Sequence, residues 1–339
     1  MKLSVWTWLK GQFNKLPPVA NADLTGKTVV VVGANTGLGF EAVKHFSKMN
    51  PERIILACRS QQKGQAAVEK IKAETGYNNA ELWIVDLADF SSVKSFADKF
   101  EKNGGRLDIL VENAGVATPR YEATKDGWET SLQVNSIATP LLALLLLPRM
   151  IQTARDHGTE SRIVVVTSEL HHWGGIPKKV LAQDDILTTL GSVEYCTPSR
   201  MRTFYNVTKL MNILFVRALN NRIDASTPLI ANTVNPGLCV SELRRDIPFP
   251  LSWISRVFEW ITAFTTEEGS RQLVFGAVGS GKLRGEYINQ SHVEEPSDFV
   301  IGGEGKKAED RVWDELVDIL GKVDRRVLTT VDAYLISSQ

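Results

Sequence analysis

Apolar residues along the chain fall into two alternating patterns. Short runs, "TVVVVG" (28–33), "RIILA" (53–57), "ELWIV" (81–85), "DILVE" (108–112), "RIVVVTS" (162–168), "LIANTVNP" (229–236) and "EYIN" (286–289), are apolar at most positions. That is the pattern of strands buried on both faces of a parallel sheet. Between them, segments such as Glu41 to Met49, Lys63 to Thr75 and Phe90 to Lys102 repeat apolar residues at helical spacing. Strand and helix alternating in this way predict an α/β chain: a Rossmann-type doubly wound, mainly parallel seven-stranded sheet flanked by helices, with right-handed crossovers. The single domain spans residues 25–300, with an N-terminal arm (1–24) and a C-terminal helical extension (301–339) packed on it.

Two stretches break the alternation. Residues 169–201 form an insertion after the fifth strand, and residues 240–264, containing "PFPLSWISRVFEWITAF", follow the sixth. Excursions from the C-terminal ends of strands usually build binding sites in open α/β folds, so both are expected to wall a substrate pocket. In the arm, Val5, Trp6, Leu9, Phe13 and Leu16 recur at helical spacing among Lys2, Lys10 and Lys15. A short amphipathic helix is expected, docked on the protein's own body, with a membrane surface as the alternative. The apolar run Thr130 to Pro148 is interrupted by Gln133, Asn135, Ser136 and Pro140 and reads as a buried helix rather than a membrane span.

Composition narrows the class of partner. With 39 basic and 39 acidic residues the net charge is zero, which points away from nucleic acid. Three dispersed cysteines without a CxxC pair suit a reducing, cytoplasmic compartment, peripheral membrane contact aside. The histidines His45, His157 and His292 form no ligand spacing, so no metal is expected.

The first strand runs into "GANTGLGF", which places Gly33, Asn35, Thr36, Gly37, Leu38 and Gly39 between a strand and a helix. Glycines there allow a tight turn and let the backbone approach a pyrophosphate, which the helix N-terminus attracts. At the end of the second strand, "ACRSQQKG" offers Arg59 and Ser60 where an NAD site would place an acid. Arg59 suits a 2′-phosphate, so NADPH/NADP+ is the expected cofactor and NAD the less suited one.

Gly33, Gly37, Gly39, Asn113-Ala114-Gly115, Asn135, Ser168, Tyr205 and Lys209, in that order, make the chain resemble the short-chain dehydrogenase/reductase family over roughly residues 25 to 300. "ACRS" and "TKLMNILFVRAL" are most similar to its retinol-dehydrogenase-like and fungal secondary-metabolism reductases. The resemblance implies that Asp86 and Leu87 lie at the adenine edge and residues 112–116 under the adenine ribose. Pro236, Gly237, Leu238 and Ser241 would pass beside the nicotinamide, and Asn135 would hold a water in a proton relay. Ser168, Tyr205 and Lys209 would be the catalytic trio. Val32 and Glu112 depart from the family's threonine and asparagine, and Glu112 puts the bracing of the fourth strand in question.

The chemistry fits those positions. Residues i and i+4 share a helix face, so Tyr205 and Lys209 reach one site. A carbonyl that receives hydride needs a proton on its oxygen. A neighbouring ammonium lowers a phenol's reference pKa of ~10 and makes tyrosine a usable acid and base. Candidate substrate contacts are His171, His172, Trp173, Ile176, Tyr195, Leu238, Cys239, Trp253, Val257, Phe258 and Trp260; for the two histidines, loop packing is the alternative. Their apolar character suggests a bulky ketone, aldehyde or alcohol. Three activities fit: an NADPH-dependent carbonyl reductase, an NAD(P)+-dependent alcohol dehydrogenase working oxidatively, and a non-catalytic NADPH-binding regulator or scaffold. The last would be expected to lack the Tyr/Lys pair or Ser168. Monomer and homodimer both remain open.

Overall fold

The computed structural model describes residues 3–240, 262–280 and 283–336. In chain order it contains α1 (Val5–Gln12), β1 (Thr28–Val32), α2 (Gly37–Ser47), β2 (Arg53–Cys58), α3 (Gln61–Thr75), β3 (Ala80–Ile84), α4 (Phe90–Asn103) and β4 (Ile109–Glu112). There follow α5 (Ala138–His157), β5 (Ser161–Val166), α6 (Lys178–Leu181), α7 (Ile186–Leu190), α8 (Pro198–Arg222) and β6 (Leu229–Asn235). The chain closes with α9 (Thr266–Val278), β7 (Tyr287–Asn289), β8 (His292–Glu294), α10 (Asp298–Ile301), α11 (Gly303–Val323) and α12 (Arg326–Tyr334).

The sheet order is β3-β2-β1-β4-β5-β6-β7-β8, parallel from β3 to β7. Chain direction across the sheet reverses between β1 and β4, the crevice where open α/β sheets bind ligands. Helices α4, α5 and α8 pack on one face and α2, α3 and α9 on the other, each over its own apolar cluster. The expected strand count of seven is one short. β8 pairs antiparallel with β7 through a two-residue turn in which Gln290 and Ser291 both take positive φ. Its three residues are exposed, so no apolar run announces it. The apolar run of α5 is the core helix read from its interruptions: Thr130–His157 is long and apolar enough to cross a membrane, yet 89% of its most apolar window is buried inside the protein.

The insertion behaves differently from the expectation. Ile176, Val180, Ile186, Leu187, Leu190 and Tyr195 are buried in the main core rather than lining an open wall. Helix α11 holds this layer down: Glu315 accepts from the Leu187 and Thr188 amides at 2.8 and 3.1 Å, and Arg311 donates to the Leu181 and Gln183 carbonyls. The reason is the apolar content itself, which gains more from burial than from exposure over a cleft. α11 also braces α8, through Arg217–Glu309 and Arg222–Asp310 at 3.1 Å each and a Phe215–Trp313 stack at 6.1 Å. The 240–264 excursion lies mostly outside the described residues, and with it Ser241, Trp253, Val257, Phe258 and Trp260.

Candidate active site

Close contacts require glycine at positions 33 and 39. Gly33 has φ +77°, and a Cβ there would lie 2.9 Å from Ala114 Cα. A Cβ on Gly39 would lie 2.4 Å from the Gly33 carbonyl oxygen and 2.6 Å from Asn113 Nδ2. Asn113 Nδ2 donates to the Val32 and Gly33 carbonyls at 3.2 and 3.0 Å, tying the end of β4 to the turn after β1. At the N-terminus of α2, Thr36 makes no side-chain capping bond, which leaves the first-turn amides to a ligand or water. This cradle, open because side chains are absent, fits the pyrophosphate of a dinucleotide, which residues 33–39 would hold. Cys58 at the end of β2 bonds the Ala34 and Asn35 amides, and burial pushes its thiol up to about 11. Next to it Arg59 is exposed, without an ion pair among the described residues, while Ser60 caps α3 by accepting from Lys63 N at 3.3 Å. Asp86 and Leu87 sit just past β3, where Asp86 Oδ1 accepts from Ala88 N and Leu87 O from Gln133 Nε2.

Asn135 lies in a π-helical turn, Gln133–Ile137, just before α5, a local widening often found at functional sites. Its Nδ2 donates to Val116 O at 2.8 Å and to Thr208 Oγ1 at 2.9 Å, and its Oδ1 accepts from Val116 N at 2.9 Å. Thr208 Oγ1 donates to the Tyr205 carbonyl at 2.8 Å. The loop after β4 is thereby bonded to the helix that carries the tyrosine.

Lys209 is 2% exposed and donates to Val166 O at 2.7 Å. Its Nζ lies 5.6 Å from the Tyr205 ring centroid. A Cβ on Gly115 would be 3.4 Å from that Nζ and 3.3 Å from Asn135 Oδ1, so the smallest residue leaves room where the two meet. Burial lowers the Lys209 amine to about 7. Ser168 follows β5 by two residues, one beyond Thr167, whose Oγ1 donates to Lys209 O at 2.8 Å. Ser168 caps the 3₁₀ turn Glu169–Trp173, its Oγ accepting from Leu170 N at 3.2 Å. Lys209, Tyr205, Asn135 and Gly115 are thus gathered, with Ser168 held beside them by β5.

The substrate candidates separate. His171 is fully buried: Nδ1 bonds Ser168 O at 2.7 Å and Nε2 accepts from Ser297 N at 3.1 Å. The pairing fixes the neutral Nδ1–H tautomer, and burial lowers its pKa to about 3. The histidine therefore packs and steadies the Ser168 backbone instead of touching substrate. His172, lowered to about 4 by burial, lines a cavity of about 270 Å³ beneath α1 with Trp8, Gln12, Glu169, Tyr287 and Glu294. Trp173 is 40% exposed and meets Trp8 edge-on at 6.5 Å. Tyr195 is packed on Phe204 beneath Arg200, and Cys239 is buried with Leu16 and Phe264. Both belong to packing because their neighbours are core residues.

Sequence reading missed one network. Gln12 accepts from Leu238 N at 3.2 Å and donates to Glu169 Oε1 at 3.4 Å, and Trp8 Nε1 also donates to Glu169. Asn235 Oδ1 accepts from Glu169 N at 3.1 Å and Gly237 N at 3.2 Å. The arm thus docks on the Pro236-Gly237-Leu238 turn and the residue after Ser168. The arm's helical spacing signalled docking, but nothing local marked Gln12.

Glu112 resolves the question raised at β4. Its side chain is on the same strand face as Leu110, fully buried, and neither oxygen has a hydrogen-bond partner among the described residues. Burial holds its carboxyl well above the usual range and so favours the protonated acid. The unfolded chain ionises near ~4.3, so stability is fully present below that value and falls as pH rises toward the folded pKa. Glu112→Met is expected to stabilise the fold by about 1–3 kcal/mol at neutral pH, with a smaller gain at pH 4. Urea unfolding at the two pH values checks it; an equal or negative effect at both would contradict this account.

The comparisons place the chain in a family. A family model described as short chain dehydrogenase matches residues 27–177. The short chain dehydrogenase/reductase dmxR8 of Cryptosporiopsis sp. (strain 8999) is 36% identical over 320 residues, covering 93% of this chain and 97% of its own. The short chain dehydrogenase FGM9 of Gibberella zeae is 32% identical, covering 96% and 94%. L-sorbose reductase of Gluconobacter frateurii, solved with NADPH and L-sorbose, shares the fold at TM-score 0.56 and 21% identity, over 79% of this chain and 97% of its own. The chain belongs to the short-chain dehydrogenase/reductase family of oxidoreductases, which bind a nicotinamide cofactor and act on small molecules.

Proposed function

We propose that the protein is an NADPH-dependent carbonyl reductase, reversible in principle, acting on a bulky and mostly apolar ketone or aldehyde in the cytoplasm. The observation that carries this reading is the buried Lys209 amine beside Tyr205, with Asn135 and Gly115 completing one site at the C-terminal edge of the sheet. When bound, the reduced nicotinamide supplies the hydride that the carbonyl carbon accepts. Tyr205 donates its phenolic proton to the oxygen as charge develops there. Lys209 favours the phenolate that remains, and Asn135 holds the loop after β4 against the tyrosine helix. Ser168 offers a hydroxyl to the same oxygen.

Exposed Arg59, without an acid at the end of β2, supports NADPH over NADH. Following absorbance of the reduced cofactor over a panel of apolar ketones and aldehydes, sugars and acids is the direct test. Turnover of apolar carbonyls with NADPH is expected, and activity confined to sugars or acids would refute the substrate class. Arg59→Ala is expected to raise the KM for NADPH by about 10–100-fold, one charge-assisted phosphate contact, with the KM for NADH nearly unchanged. An unaltered cofactor ratio would remove the assignment.

A further inference from the structure

We propose that the outward face of α1 docks on an anionic lipid surface. The helix is anchored by one side: Trp8 and Gln12 bond Glu169 and the Leu238 amide, and Leu16 just beyond packs on Cys239 and Phe264. Its other side presents Val5, Trp6 and Phe13 at 60%, 67% and 66% exposure. Elsewhere among the described residues, large exposed apolar side chains are spread along the chain, whereas these three fall within nine positions. Single exposed apolar residues are ordinary on a soluble protein; a cluster on one short helix, with tryptophan among them, is the pattern of interfacial contact.

Charge identifies the occupant. Residues 1–22 contain Lys2, Lys10 and Lys15 and no aspartate or glutamate, although the whole chain is neutral. Lys10 and Lys15 are exposed, and Lys10 Nζ lies 5.6 Å from the Trp6 ring centroid. Lysines can reach phosphate headgroups while their stems and the indole stay at the apolar boundary. A second copy seated face to face would instead oppose these lysines to their own equivalents, since a two-fold interface pairs a patch with itself. At eight residues α1 is too short to bind as a free peptide helix. Its bonds to the body order it beforehand and remove that cost from docking.

The arm touches the residue after Ser168 and the turn before Leu238, so a docked bilayer would lie at the site end of the sheet. Its use as a source of apolar substrate rests on the reading proposed above; the docking does not.

The test is co-sedimentation of the full-length protein with vesicles of phosphatidylcholine alone or mixed in equal parts with phosphatidylserine. Sedimentation with the mixed vesicles is expected. The combined Val5→Ser, Trp6→Ser, Phe13→Ser variant should partition at least about tenfold less. Lys10→Gln with Lys15→Gln should lose the preference for phosphatidylserine, and both variants should keep the wild-type melting temperature. The proposal is overturned if the wild type stays in the supernatant, if the triple variant binds as well, or if binding ignores the anionic lipid. A concentration-dependent dimer that the triple variant abolishes would assign the face to self-association and overturn it equally. None of these outcomes depends on which substrate the enzyme reduces.

Discussion

Tyr205→Phe is expected to lower kcat by about 10²–10⁴-fold while leaving NADPH affinity within about twofold. The substitution removes one oxygen and keeps the ring beside Lys209 Nζ. The Thr208 hydroxyl bonds the backbone carbonyl of residue 205, so the bridge to Asn135 survives as well. What is lost is the proton that the developing alkoxide needs, an interaction made only in the transition state. Such a loss falls on kcat rather than on binding. Steady-state kinetics together with a fluorescence titration of NADPH separate the two quantities. Turnover near the wild-type rate with NADPH bound would assign the proton to another group and end the proposal for Tyr205.

Lys209→Met should move activity and stability in opposite directions. Activity is expected to fall by about 10²-fold or more, because the phenolate loses its neighbouring cation. Stability should rise. Burial takes the amine from its ordinary value near 10.5 to about 7, which at pH 7 costs the fold on the order of 4 kcal/mol. Losing the bond to Val166 O returns about 1.5–3 kcal/mol of that, and Asn212 Nδ2 still approaches the same carbonyl at 3.4 Å. A net gain of about 2 kcal/mol follows at neutral pH. The sign with pH is definite: a depressed folded pKa gives stability that is present above 10.5 and lost as pH falls toward 7. The advantage of the methionine variant should therefore be largest at pH 7 and below and shrink as pH approaches 10. Urea unfolding across that range measures it. A variant less stable than wild type at pH 7 would mean that the lysine is held by more than its bond to Val166 O.

Buried ionisable groups carry a desolvation cost that an apolar side chain would avoid, and Lys209 and Glu112 show two forms of it. Under the proposed mechanism the lysine's cost has a use, because its amine lies 5.6 Å from the Tyr205 ring. For Glu112 the structure shows a buried acid without a hydrogen-bond partner among the described residues.

Much of the fold and the core of the site were legible because their signals are local. The runs at 28–33, 53–57 and 229–236 are strands within a residue of where apolar pattern placed them. Tyr205 and Lys209 are four positions apart on one helix, and the glycines of residues 33–39 span the turn after β1 and the first residues of α2. Periodicity and backbone sterics act over such distances, so single segments carry them. His171 was ambiguous for the opposite reason: its second partner, Ser297, is 126 residues away. The insertion was misjudged likewise, since its apolar residues fit either a pocket wall or a core layer until α11 is placed against it.

By itself the sequence determined the order of strands and helices, the glycine turn and the tyrosine–lysine pair, all governed by residues near in the chain. Tertiary structure alone decided that the Lys209 amine is buried against Val166 O, that Gly115 makes room for it, and that Glu112 is buried without a hydrogen-bond partner among the described residues. It also decided that Gln12, 226 residues from Leu238, closes over the turn after β6. Burial, desolvation and long-range hydrogen bonds depend on which segments meet, and that is set only when the sheet and its two helical layers are assembled.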